Sequence, residues 1–329
     1  MISYLLIPAM SSYPTSLNII FFYITWITLV LSSPPLRVEI VGTVAVRFLL
    51  YLVPSLFFFL FDMLFPSAAV VLKAQGATGL PAAKWGKRSA KRALKVAAWT
   101  MFNLSMGVVL QAVVEVVLTK MLRARSAIRV ATRLPLPWDI LKDLALGFTG
   151  REVLQYVIHR YTLHSPTAYV ARCHDEWYHS LRAPYPLTAH YDHPLAYVLF
   201  RFVPAFLPAA TLRFHLLTYL IYLALISLEE TFSHSGYSIM PTNFFIGGMA
   251  RRADLHLLGK GCGNYGPWGI ADWICGTTVD HSGPQIEAGD ADLKGNINDV
   301  LDAAVDATIE EPKKHARGPK TRGRGVAAS

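Results

Sequence analysis

The chain has 329 residues, 53% hydrophobic and 16% charged, with a formal net charge of +9. Soluble domains average about 25% charged residues, so this composition excludes an ordinary soluble enzyme and points to a membrane protein. Three cysteines, Cys173, Cys262 and Cys275, form no CxxC and no framework, which excludes a disulfide-built secreted domain.

A membrane-spanning helix needs roughly 20 mostly apolar residues. Residues 17–33 are the first candidate, and residues 40–65 the second, interrupted by Arg47 and Pro54. Pro34-Pro35 between them fits a short hairpin turn. The N-terminus lacks the basic flank and small-residue cleavage site of a signal peptide, so the first apolar segment is expected to stay as an anchor. Residues 66–96 read as a loop. From Lys73 to Lys95 the chain carries seven basic residues and no acid. Such clusters set membrane orientation or touch anionic headgroups; with no nucleic-acid-binding module beside them, they do not make a nucleic-acid site. Residues 97–119 are a third span, followed by a second basic run from Lys120 to Arg133. Residues 137–158 carry Asp139, Lys142, Asp143, Arg151 and Glu152, and read as a fourth helix with its polar face turned toward protein. Residues 195–212 and 214–231 form a last hairpin, broken around Pro204, Pro208 and Arg213. The predicted fold is an all-α, polytopic membrane helical bundle with a cytosolic histidine-rich metal-binding cap. Its regions are an N-terminal hairpin and basic loop (1–96), a histidine-bearing membrane domain (97–281) and a disordered polar, basic tail (282–329).

Nine of the 11 histidines fall between His159 and His256. Neutral imidazole is the commonest protein ligand for transition metals. His159 and His164 are five residues apart, as are His174 and His179, whereas a regular helix brings i and i+4 onto one face. Either pair converges only if the helix ends or bulges between its members, or if two metals are bound; a π-bulge would serve. Asp175 with His179, and Glu230 with His234, stand at i and i+4 and can present carboxylate and imidazole together. Mixed ligation of that kind with open positions suits iron that must bind oxygen. His190 and His193 support the cluster. His215 sits alone in an apolar run and reads as a hydrogen-bonded core residue. The hairpin between the two histidine groups returns the chain to the same membrane face, as one site requires. The basic 73–95 loop marks that face as cytosolic by the positive-inside rule; the basic 120–133 run, on the far side, conflicts with it.

The order of motifs resembles the fatty acid hydroxylase/sterol desaturase superfamily. Glu152, Tyr156, His159, Arg160 and His164 resemble its first histidine box, H-x(3,4)-H, with the helix leading into it. His174 and His179, with Ala183-Pro184 and His193-Pro194 downstream, resemble the second. His234-Ser235-Gly236 resembles the H-S-G segment between boxes. Asp254 and His256, then Asn264-Tyr265-Gly266, Asp272-Trp273 and Gly276-Thr277, resemble the third. The variant looks most like fungal members. It departs from the pattern where Glu176, Ser180, Glu230, Ala253 and Leu257 stand at histidine positions.

The resemblance implies a membrane di-iron enzyme, with two non-haem iron ions and oxygen-dependent hydroxylation or desaturation of a sterol or fatty acyl substrate in lipid biosynthesis. The expected metal ligands are His159, His164, His174, His179, His193, His234 and His256. Asp175, Glu176, Glu230, Asp254 and Glu152 are expected as oxygen ligands or as groups orienting the ligands. Electrons are expected from a partner, because no haem or flavin motif is visible, and the resemblance implies cytochrome b5 or a similar donor. The expected location is the endoplasmic reticulum, multi-pass, with the site facing the cytosol. The alternative is a degenerate, non-catalytic scaffold or lipid-binding protein, favoured by Ala253 and Leu257. A membrane zinc hydrolase lacks any HExxH here.

Overall fold

Pro34 and Pro35 lack the amide hydrogens a helix interior uses, so they stop one helix and open the next. In the computed structural model, α1 (Ser3–Ser32) ends there and α2 begins at Pro35. The structure describes residues 3–81, 87–181, 183–237, 246–259 and 261–279. The tail predicted over 282–329 lies outside these residues. α2 (Pro35–Arg47) runs through a π turn at Phe48–Leu52 and on over Val53–Leu64. It is followed by α3 (Pro66–Leu72), α4 (Lys87–Val116, closed by a π turn at Val117–Met121) and α5 (Pro137–Ile158, continued by a π turn at His159–Leu163). Then come α6 (Tyr169–Trp177), α7 (Pro194–Tyr197, a π turn at Val198–Phe202, then Val203–Thr211), α8 (Leu216–Ser233), α9 (Ile246–Leu258) and α10 (Ile270–Ile274). No β-strand forms among the described residues; Lys73 with Tyr237 and Arg129 with His215 make isolated bridges.

Among the described residues, four helical stretches are long and apolar enough to cross a membrane: Pro35–Leu64, Lys91–Met121, Pro194–Thr211 and Leu216–Ser233. Leu17–Ser32 is a shorter apolar helix. The polarity is inverted relative to a soluble bundle. Phe21, Phe57 and Leu94 are 66–72% exposed, whereas Thr43, Ser55, Asn103 and Gln111 are buried. Lipid demands this, since polar groups facing hydrocarbon find no partners. Gln111 shows how they are satisfied: it donates to Glu39 at 2.7 Å and accepts from the Tyr219 hydroxyl at 3.0 Å.

α5 has 22 residues, roughly 33 Å long at 1.5 Å per residue. Its charges split by position. Asp139, Lys142 and Asp143 stay near its first turns, while Arg151 is buried and pairs with Glu229 through two bonds of 2.8 and 2.9 Å. The polar face expected on this helix thus meets a polar face on α8.

The histidine groups share one end of the bundle. The turn between α7 and α8 lies at the other end, where the Arg129 amide donates to Phe214 O (2.8 Å) and the Leu216 amide donates to Arg129 O (2.9 Å). The basic 120–133 run therefore packs opposite the histidines. Lys95, from the first basic cluster, lies over the Trp177 ring at the histidine end. With basic segments at both ends, charge alone does not orient the bundle. His215 caps α8, accepting from the Leu217 amide at 3.1 Å and donating to Ala131 O at 3.2 Å. The N-terminal hairpin and the histidine-bearing helices fall in one unit, Met1–Val279.

Candidate metal centre

His164 stands five positions after His159, and the π turn between them makes that spacing work. The His164 amide donates to His159 O at 3.0 Å, the i→i+5 bond that defines such a turn, and both rings point the same way. Their Nε2 atoms lie 3.2 Å apart. Two nitrogens bound to one ion at about 2.1 Å stand ~3.0–3.4 Å apart, so this separation matches neighbouring ligands. The second pair converges by the other route. α6 ends at Trp177 and the chain tightens into a 3₁₀ turn over Tyr178–Ser180, which brings the His179 ring within 5.0 Å of His174. His256, on α9, closes the group at 4.6 Å from His159 and 5.0 Å from His179, centroid to centroid. One nitrogen from each of His159, His164, His174 and His256 falls within 4.8 Å of the others.

Hydrogen bonds fix which nitrogen faces the centre. His159 Nδ1 donates to Tyr265 O (2.8 Å), His174 Nδ1 to Asp192 Oδ2 (2.6 Å) and His256 Nδ1 to Gly263 O (2.7 Å). Those acceptors carry no proton to give, so each Nδ1 holds the ring hydrogen and each Nε2 keeps its lone pair. His174 Nε2, His256 Nε2 and both nitrogens of His179 are buried without a partner. Orphaned buried acceptors are costly unless something occupies their lone pairs, and a metal ion fits this donor set. Burial is the main force holding the imidazoles neutral, and the neighbouring His174 adds to it: His164 is pushed down to about 3, His179 to about 2 and His256 to about 4. Neutral imidazole is the form that binds metal.

The loop after α9 supplies two of those carbonyls, and carboxylates hold it in place. Glu152 accepts the amides of Trp268, Ile270 and Ala271, and Asp272 accepts those of Tyr265 and Gly266. Gly261 lets the loop pass His164: it has φ +85°, and a Cβ there would lie 2.2 Å from His164 Cε1.

The site is narrower than the sequence predicts. His193 caps α7 through a bond from the Leu195 amide and packs edge-on to Trp177. His234 is buried, but its Nε2 accepts from Arg201 at 3.1 Å, with the Tyr178 hydroxyl at 3.3 Å. Glu230 pairs with Arg47 (2.6 Å) and His190 (2.9 Å) instead of standing beside His234. Asp175 and Glu176 are exposed on α6, because the helix ends before its i+4 face reaches the cluster. Asp254 is buried and accepts from Gln75, while Lys73 beside it pairs with Asp62. Glu152 acts on the ligands only through the loop it anchors. Ala253 lines the cavity beside the cluster, and Leu257 packs in an apolar group with Tyr51, Tyr178 and Leu181. The grouped donors are therefore His159, His164, His174 and His256, with the His179 ring beside them, while His193, His234 and Glu230 are engaged elsewhere. Asp192 and the carbonyls of Gly263 and Tyr265 were outside the predicted set.

Fold and site together define a helical membrane protein built around a cluster of imidazoles that can hold a metal. Residues 144–277 match the fatty acid hydroxylase family, which supports the resemblance to the fatty acid hydroxylase/sterol desaturase superfamily. Methylsterol monooxygenase 1-1 of Arabidopsis thaliana is 33% identical over 137 residues, 39% of this chain and 44% of that protein. Very-long-chain aldehyde decarbonylase GL1-8 of Oryza sativa subsp. indica is 32% identical over 155 residues, 45% of this chain and 57% of that protein. The chain thus spans about half the length of the curated relatives it matches. No solved structure matches.

Proposed function

We propose that the protein is an iron-dependent, oxygen-using oxidoreductase that hydroxylates or desaturates a membrane lipid, either a sterol or a fatty acyl chain. The observation that carries this reading is the convergence of one ring nitrogen each from His159, His164, His174 and His256, with the His179 ring beside them and the Nε2 atoms of His174 and His256 left without a partner. The relatives are named for oxygenation and decarbonylation, which fits an oxidative role. Bound iron would supply the activation of dioxygen that cleavage of an unactivated C–H bond requires.

The protein's own contribution is to prepare that site. The Asp192 carboxylate and the carbonyls of Tyr265 and Gly263 fix ring orientation and tautomer, so the lone pairs converge without reorganisation. Burial keeps the rings unprotonated. A cavity of about 50 Å³ adjoins His159 and His256 and is lined by Phe200, Met249 and Ala253 among others; it gives part of a lipid a place beside the cluster. Electrons would come from cytochrome b5 or a similar donor. We assign the protein to lipid biosynthesis in the endoplasmic reticulum, with the cluster on the cytosolic side.

The test is purification of the full chain, iron loading, and turnover with oxygen, a b5 reducing system and candidate lipids, alongside lipid analysis of a strain lacking the protein. Bound iron with a hydroxylated or desaturated product is the expected result. Normal folding with no bound iron would sink it. Ala253 and Leu257 favour a second reading, a non-catalytic lipid-binding or scaffold protein. That reading expects an unchanged lipid profile in the deletion strain.

A further inference from the structure

The cavity beside the imidazole cluster has an unusual charge inventory. Two guanidinium groups line it, Arg201 from α7 and Arg252 from α9. Arg201 is 7% exposed; it donates to His234 and lies over the Phe200 ring, and among the described residues it forms no ion pair. Arg252 donates weakly to Pro267 O at 3.3 Å, forms no ion pair among the described residues, and leaves its Nε buried without a partner. Glu229 is the one carboxylate on the described wall. It is taken up by Arg151 through two bonds and also accepts from the Trp268 indole at 3.0 Å. Burial pulls Arg252 below the usual guanidinium range, only partly offset by Glu152, Asp272 and Glu229. An arginine does not relieve this by losing its proton, because guanidinium stays charged in proteins. Arg201, buried, and Arg252, half-buried with an orphaned Nε–H, thus form no ion pair among the described residues and have donors to offer an anion.

We propose that Arg201 and Arg252 bind the carboxylate of an acidic lipid and hold it in this cavity, against the imidazole cluster. The proposal deepens the reading of the protein as a lipid oxidoreductase and rests on it. A planar guanidinium matches a carboxylate in shape and donor spacing. The volume of about 50 Å³ suits a head group and not a lipid body, whose chain must extend out between helices. Neutral lipids, such as alcohols and unmodified sterols, would leave both cations unpaired and should be discriminated against. The carboxylate can belong to a fatty acid or to a sterol acid; the pocket chemistry is the same for both.

The test is equilibrium binding to the purified, iron-loaded full chain in neutral maltoside micelles. Palmitate is compared with 1-hexadecanol, and cholesteryl hemisuccinate with cholesterol. We expect at least one acid to bind about tenfold or more tighter than its neutral partner, and which pair shows it tells acyl from sterol frameworks. Arg201→Gln should erase most of that preference, and Arg252→Gln should reduce it. Arg201→Lys, which keeps the charge, should retain part of it and guards against misfolding of the glutamine variant. Comparing each variant with the parent cancels micelle partitioning. Equal binding of acid and alcohol in both pairs overturns the proposal, as does an acid preference untouched in Arg201→Gln and Arg252→Gln. Either result leaves iron binding and turnover standing. Absence of bound iron would instead remove the oxidoreductase reading on which the proposal rests.

Discussion

Two groups of buried histidines at the same end of this bundle have opposite fates. In one, His159, His174 and His256 give Nδ1 hydrogens to fixed oxygens; Nε2 of His174 and His256 has no partner, and that of His159 meets only His164 Nε2. In the other, His190 and His234 commit Nε2 to Glu230 and Arg201. Residue type and burial are alike. What differs is whether a charged side chain from another helix reaches the ligand nitrogen. Arg47 from α2 and Arg201 from α7 bring guanidinium groups into the second group, and none reaches the first. Metal competence is thus decided by the neighbour, not by the histidine.

The largest expected effect breaks the first group directly. His159→Ala, His174→Ala or His179→Ala should weaken metal binding by more than the ~10–100-fold typical of losing an outer partner, measured by metal analysis of folded protein. Retention of full metal content would refute the assignment. Gly261→Ala comes next: the new methyl collides with His164, and strain at positive φ adds to it, so both metal content and thermal stability should fall. Asp192→Ala sharpens the comparison by freeing the His174 ring while leaving it in place, and should cost about 10–100-fold in metal affinity. His215→Ala removes a helix cap far from the cluster; it should cost about 1 kcal/mol in denaturant unfolding with metal content unchanged. His193→Ala, at the edge of the histidine end, should leave metal content as it is. A drop there would mean that the second group takes part after all.

Much of this was legible in the sequence, because hydropathy reports lipid exposure and spacing reports helical face. The five-residue spacings demanded a π turn or a helix end, and the chain uses one of each, at His159–Leu163 and after Trp177. The misplacements have a common physical origin. Pairing Glu230 with His234 by i, i+4 assumed that neighbours on one helix meet first; Arg47 and His190 reach Glu230 instead. Asp175 failed because its helix stops. The partners of His159 and His256 are main-chain carbonyls, and no residue identity announces those. Asp192 comes 18 residues after His174, a separation that only tertiary packing closes.

The π turn at His159–Leu163 also bears on how such motifs vary in length. Inserting one residue into a helical turn widens it locally and leaves the helix on either side in register with its own packing. Four intervening residues across a widened turn therefore deliver the same juxtaposition that three deliver across a regular one. His164 closes this helical stretch as its C-cap, so the width of the Arg160–Leu163 turn sets where its ring points while the packing of α5 stays as it is.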